Sequence, residues 1–300
     1  MLNRKRILVT GSSGFLGSHL VDLLMLKGHK VVGLDVVKPK HKQKLTKFVE
    51  GDILDKETLK YAMDKCKYVY HLAAEADIDR SIIEPEKTIR YNILGTQNVL
   101  HTALEINVDR VIFASSIYVY SHLGGFYRVT KQSCEKLIEE YERVFGLNYT
   151  IVRYGSIYGP GANYFNSIYN MITEAVLNKK IVREGNGKEI RQYIHIKDAI
   201  SLTYELMDDY YENKFLLITG KEKFSINKLL NKINSIFNNK IDIEYVDGET
   251  NKNHYHTSPF SNSSINVEEL FPDSSYDLNQ GLKELKEELE KKLRNKNNNH

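Results

Sequence analysis

The chain contains no tryptophan, only two cysteines, and no apolar run near the roughly 18 residues that would span a bilayer. No membrane segment is therefore expected. Cys66 and Cys134 are too few for a disulfide framework and lack metal-ligand spacing, which points to a reducing, cytoplasmic setting. Charge of one sign is lacking too. Lys+Arg 42 against Asp+Glu 39 leaves +3, too little to recommend a nucleic-acid or membrane partner. The N-terminal MLNRKRILVTG passes straight into a strand, so no signal peptide is expected, and no internal repeat is evident. What remains is a globular composition, 41% hydrophobic and 27% charged over 300 residues, enough for one large domain with a smaller lobe.

The organising stretch is RILVTGSSGFLGSHLVDLLMLKGHKVVGLD, residues 6–35. An aliphatic run leads into a turn with Gly11, Gly14 and Gly17. Leu16, Leu20, Leu23 and Leu24 then mark one helix face, and a second apolar run ends in Asp35. Such a turn lets the main chain approach a pyrophosphate, and the following helix aims free N–H groups at it. Asp35, 18 positions past Gly17, can accept hydrogen bonds from ribose hydroxyls and would repel a 2′-phosphate. This predicts NAD over NADP, with Lys38 and Lys40 as the opposing charges.

Further strands are expected at 47–50, 68–72, 110–114 and 149–153, alternating with helices at 56–65, 92–106 and 127–145, the pattern of a doubly wound parallel sheet. Asp52 and Ile53, after the third strand, can meet an adenine, although Asp52 also suits a helix cap or a turn. Leu72, Ala73 and Ala74 end the fourth strand with room for a cofactor, and His71 reads as a packed histidine. The basic segment 38–44 reads as a surface loop. Beyond residue 161 the alternation loosens into helices at 163–178, 225–238 and 281–294 with short strands at 215–219 and 241–246. The expected division is a nucleotide-binding Rossmann domain at 1–155, to which the chain returns around 190–206, a smaller α/β substrate lobe at 156–294, and a disordered tail at 295–300. His254 and His256 read as lobe-loop residues, and no metal site is expected.

The chemistry centres on Ser116, Tyr127 and Lys131. Tyr127 and Lys131 are four apart and share a helix face. A tyrosine is a poor base at a pKa of about 10, but a nearby ammonium and a positive nicotinamide ring both favour its phenolate. Ser116 can hold a substrate oxygen while Tyr127 takes the proton of a secondary alcohol.

TGSSGFLG, Asp35, GDI, HLAA, NILGTQNVL, FASSIYVY, YRVTK, RYGSIYG and RQYIHIKD together resemble the extended short-chain dehydrogenase/reductase family of nucleotide-sugar epimerases, dehydratases and reductases, over residues 6–199. The resemblance implies that Gly11, Ser13, Gly14, Phe15, Leu16, Gly17, Asp35, Asp52, Ile53, Leu72, Ala73, Ala74 and Asn92 bind NAD, with Tyr127 and Lys131 at the nicotinamide end. It implies Ser116 and Tyr127 as the catalytic pair, and Ser116, Ser156 and Arg191 on a nucleotide-diphosphate sugar. It also implies a homodimer through helices 92–106 and 127–145.

Three departures from that family bear on the reaction. Members usually place a much longer segment between the serine and the tyrosine, here 11 apart (116 to 127), so a more open pocket or a compensating segment is expected. Dehydratases carry a glutamate just after the serine, where this chain has Ile117 and Tyr118. The family's diphosphate-contacting asparagine is Ser156. The expected activity is therefore a 4-epimerase, with a 4-dehydrogenase or 4-keto reductase next, a 4,6-dehydratase after that, and a catalytically silent NAD-binding protein as the non-enzyme alternative.

Overall fold

The computed structural model describes residues 4–39, 45–247, 254–257 and 267–297. The apolar runs and amphipathic stretches alternate as β1 (Arg6–Thr10), α1 (Phe15–Leu26), β2 (Lys30–Asp35), β3 (Lys47–Glu50), α2 (Lys56–Met63) and β4 (Tyr68–His71). Two short helices, α3 (Ile78–Ile83) and α4 (Pro85–Ile89), lead through a π-helical turn at Arg90–Leu94 into α5 (Gly95–Ile106). Next come β5 (Arg110–Ser116), a 3-10 turn at Ile117–Tyr120, α6 (Gly125–Phe145) and β6 (Tyr149–Tyr154). The chain continues through β7 (Ser156–Tyr158), α7 (Ser167–Asn178), β8 (Lys180–Glu184), β9 (Ile190–His195), α8 (Ile196–Glu205) and β10 (Lys214–Ile218). It ends in β11 (Lys223–Ser225), α9 (Ile226–Ile236), β12 (Asp242–Val246), β13 (Glu268–Leu270) and α10 (Leu278–Asn297).

Contacts divide the chain into two units, the first made of residues 1–154, 200–218 and 259–270, the second of 155–199, 219–258 and 271–300. In the first unit an eight-stranded sheet runs β13-β10-β6-β5-β4-β1-β2-β3, every pairing parallel. Leu8, Val32, Val69, Val111 and Ile151 are fully buried, as central strands covered by helices on both faces require. Strand order reverses between β1 and β4. At that switch point the strands' carboxyl ends open a crevice.

The second unit holds a three-stranded sheet, β11-β9-β7, and a parallel pair, β12-β8. Ile172, Leu229, Leu230, Ile233, Leu282 and Leu285 from α7, α9 and α10 form its core.

Several boundaries differ from the expectations. The strand expected at 215–219 in the smaller lobe is β10 of the main sheet, because Leu216, Leu217 and Ile218 are fully buried and can line a central strand on both faces. The helix expected across 92–106 begins at 95, preceded by the π turn. The serines expected after the fifth strand belong to it. The tail expected from 295 is helical through Asn297, carried by the ion pairs of Lys292 with Glu288 and Arg294 with Glu290. Residues 298–300 of that tail and 40–44 of the basic loop lie outside the described residues. No described helix is long and apolar enough to cross a membrane.

Candidate active site

The cradle at the switch point is built from backbone. α1 starts after Gly14, which has no side chain to cap the helix, so the first-turn N–H groups are free for an anion. A Cβ at Gly17 would stand 2.0 Å from the Gly11 carbonyl oxygen, so helix and turn meet only because glycine is there. Ser13 donates its N–H to Asp35 Oδ2 at 2.9 Å and its hydroxyl to the Val37 carbonyl at 2.6 Å, while Val37 N–H donates to Asp35 Oδ1 at 3.0 Å. The carboxylate is thus fixed at the tip of β2 and keeps lone pairs for ribose hydroxyls. Phe15 and Leu16 open α1. The free helix start, the tight glycine contact and the anchored carboxylate together fit a dinucleotide.

Asp52 accepts the N–H of Leu54 at 2.9 Å, the turn role anticipated as its alternative, and the cap of α2 is Asp55. Ile53 is buried. After β4, the N–H of Leu72 bonds the Thr10 carbonyl and that of Ala73 the Thr10 hydroxyl, each at 3.2 Å, which keeps the small residues Ala73 and Ala74 beside the end of β1. His71 spends both ring nitrogens on threonines, Nδ1 on Thr10 at 2.8 Å and Nε2 on Thr96 at 3.0 Å. Burial, with the Lys131 charge, pushes it down to about 3, so it is a neutral packing residue.

Asn92 is buried in the π turn. Its carboxamide accepts from Glu75 N–H at 2.8 Å and donates to the Glu75 carbonyl at 3.0 Å and the Thr130 hydroxyl at 2.9 Å. The π turn thereby ties the segment after β4 to α6.

At the end of β5 the chemical trio assembles. Ser116 accepts Tyr118 N–H at 3.3 Å, capping the 3-10 turn, and its side chain lies beside the Tyr127 phenol. Burial raises the Tyr127 pKa from its ordinary value, and the neighbouring Ser116 hydroxyl pulls it part of the way back. Lys131 is buried. Its Nζ donates to the Ala114 carbonyl at 2.7 Å and stands 5.8 Å from the centre of the Tyr127 ring. Burial lowers this amine to about 8, opposed by Cys134 and Glu135, so it is still mostly charged at neutral pH.

The short connector has its own architecture. From Ser116 the 3-10 turn sets the Tyr118 ring edge-on to Tyr127, with ring centres 6.4 Å apart. Gly124, at φ +105°, then turns the chain into α6, where a Cβ would meet the Tyr118 ring at 2.6 Å. With no side-chain cap from its N-cap residue Gly124, α6 takes one from α3: Ser81 Oγ accepts Tyr127 N–H at 3.2 Å.

Ser156 and Arg191 lie in the second unit and share a partner there. Tyr255 places its hydroxyl 3.4 Å from Ser156 Oγ and its ring 4.2 Å from the Arg191 guanidinium carbon. Tyr255 and Ser81 escaped the sequence, as neither stands in a pattern that marks it. The His256 carbonyl accepts Ile190 N–H, and the described residues contain no metal-holding cluster.

Residues 7–215 match the family described as the NAD dependent epimerase/dehydratase family. A protein of Methanocaldococcus jannaschii named as a putative UDP-glucose 4-epimerase is 31% identical over 251 residues, 76% of this chain and 81% of its own. A UDP-N-acetyl-alpha-D-glucosaminuronate decarboxylase of Bacillus cytotoxicus is 29% identical over 273 residues, 82% of this chain and 84% of its own. The solved structure of UDP-glucose 4-epimerase from Thermotoga maritima with UDP-glucose matches at a TM-score of 0.84 and 26% identity, covering 96% of this chain and 99% of that one.

Proposed function

The chain belongs to the NAD dependent epimerase/dehydratase family, and from that premise we propose that this NAD-dependent enzyme is a nucleotide-sugar 4-epimerase. The observation that carries the reading is the Ser116, Tyr127 and Lys131 arrangement at the end of β5, next to the strand that borders the dinucleotide cradle. Bound NAD supplies a hydride acceptor and donor, with a positive ring that favours the phenolate. Ser116 holds the C4 oxygen of the sugar and Tyr127 removes its proton. The 4-keto sugar turns over in the site, and Tyr127 returns the proton as the opposite configuration forms. Lys131, charged and buried one helical turn from Tyr127, stabilises the phenolate and binds the nicotinamide ribose.

Glycines 11, 14 and 17 hold the pyrophosphate and Asp35 the adenosine ribose. Ser13, Phe15, Leu16, Asp52, Ile53, Leu72, Ala73, Ala74 and Asn92 complete the cofactor contacts. In the second unit, Ser156 and Arg191 receive the substrate's diphosphate, for which a guanidinium fork is suited. The relatives named for UDP-sugar 4-epimerases support this choice, and Ile117, which has no proton to give, disfavours dehydration. The enzyme is taken to be a cytoplasmic homodimer. Leu94, Phe126 and Val129, exposed around the start of α5 and α6, support the dimer, and the free thiols Cys66 and Cys134 suit the compartment.

The test is proton NMR of UDP-, GDP-, dTDP- and CDP-sugars incubated with the protein and NAD, with reduced-nicotinamide absorbance followed in parallel. A new anomeric signal without net NADH is the expected result. A keto product with stoichiometric NADH would make the enzyme a 4-dehydrogenase, and a 6-deoxy-4-keto product a dehydratase. Tyr127→Phe should lose about 10²- to 10⁴-fold in turnover while still binding NAD.

A further inference from the structure

On α6, Tyr127, Lys131 and Glu135 recur at four-residue intervals and form one stripe. Glu135 is only 4% exposed. Its Oε1 accepts the Ser115 hydroxyl at 2.5 Å and Arg153 Nε at 2.9 Å, and its Oε2 accepts Arg153 Nη2 at 2.6 Å. Ser115 and Arg153 are register partners on β5 and β6, so one carboxylate clasps two adjacent strand ends to the catalytic helix. The Arg153 guanidinium also lies 4.6 Å from the ring centre of Tyr120, in the 3-10 turn after Ser116. The pair thus touches the connector at its start, at its middle and on the helix that receives it.

Stability alone is a weak reason to keep such a pair. Two buried charges lose their hydration, and well-packed apolar residues often replace them at no loss. The charge has a neighbour to serve. Around Lys131 stand Tyr127, Cys134 and Glu135 from α6, His71 from β4, and the Ala114 carbonyl and Phe113 ring from β5. On β6, Arg153 and Tyr149 face Glu135. Cys134 and Glu135 both act to hold the Lys131 proton, but burial raises the Cys134 thiol whereas Glu135 is ion-paired with Arg153, and His71 is neutral. Among these groups Glu135 is the standing negative charge.

We propose that Glu135, braced by Arg153, is a positioning residue of the catalytic site: it fixes the end of β5 so that Ser116 reaches Tyr127 across the short connector, and it keeps the Lys131 amine charged. The proposal rests on Tyr127 being the acid and base of the reaction. Lowering the charge at position 135 lets Lys131 lose its proton at lower pH, and a neutral lysine no longer favours the phenolate. Displacing Ser116 removes the neighbouring hydroxyl that pulls the phenol down.

The test uses NAD-bound protein and no sugar, so it stands apart from the outcome of the epimerase assay. Phenolate absorbance is titrated in wild type, Glu135→Gln, Ser115→Ala and Val32→Ala, each minus its own Tyr127→Phe counterpart, with folding checked by circular dichroism. Glu135→Gln and Ser115→Ala should each move the Tyr127 titration to higher pH. Val32→Ala, which trims the buried core of β2 away from the network, should lower the melting temperature and leave the titration in place. A shift in only one of the first two variants removes the half that the other represents. Both folded and both titrating as wild type overturns the proposal, and if Glu135→Gln does not fold, Ser115→Ala decides it.

Discussion

His71 is held neutral between Thr10 and Thr96, and this has a sign that can be measured. Its pKa falls from an ordinary 6.5 to about 3 on folding. Below 6.5 the unfolded chain binds a proton that the folded chain refuses, so this group takes away about 1.4 kcal/mol of stability for each unit that pH drops towards 3. Above 6.5 it contributes no slope. In urea melts at pH 7, 6 and 5, His71→Asn should show a shallower loss of stability than wild type, whatever its starting value; parallel slopes would mean the ring is protonated in place. Residues whose type and spacing suggest chemistry, such as Ser116, Tyr127, Lys131 and Asp35, could be singled out in the sequence. Glu135 was not, since a glutamate on a charged helix reads as solvated until Arg153, 18 positions on (135 to 153), is known to lie opposite it.

Among the elements, the connector between β5 and α6 is the most constrained. Gly124→Ala forces a side chain into a left-handed backbone conformation and against the Tyr118 ring. Strain of this kind costs on the order of 1 to 3 kcal/mol, so the melting temperature should fall, and turnover with it, as Tyr118 is driven against Tyr127. A variant as stable and as active as wild type would show that the turn relaxes freely. The parallel strands were legible because they are continuous apolar runs. Short strands such as β7, β11 and β13 were not, because three residues carry no period to count. The π turn escaped for a related reason: its residues follow a helical pattern, and what distinguishes it is the carbonyl of Asn92, which accepts the Cys134 thiol at 3.1 Å.

At the scale of the whole molecule, light scattering at micromolar concentration should return twice the mass of one chain, through the helices that expose Leu94, Phe126 and Val129; the mass of one chain would remove the dimer. Doubly wound topology was legible from the spacing of the elements, whereas the share of residues 214–218 and 268–270 in the main sheet was not. A strand three residues long is recruited by an open edge rather than declared by its own composition.

That late recruitment bears on biosynthesis. When a ribosome has delivered β6, its outer edge has no neighbour, and β10 begins some sixty residues later (154 to 214), with β7, β8 and β9 of the second unit made in between. β13 follows about fifty residues after β10 (218 to 268). For much of its synthesis the nascent chain therefore displays a raw, apolar β-edge, the kind of surface that invites pairing with another chain. The stretch of translation between residues 154 and 214 is where a chaperone would have most to do.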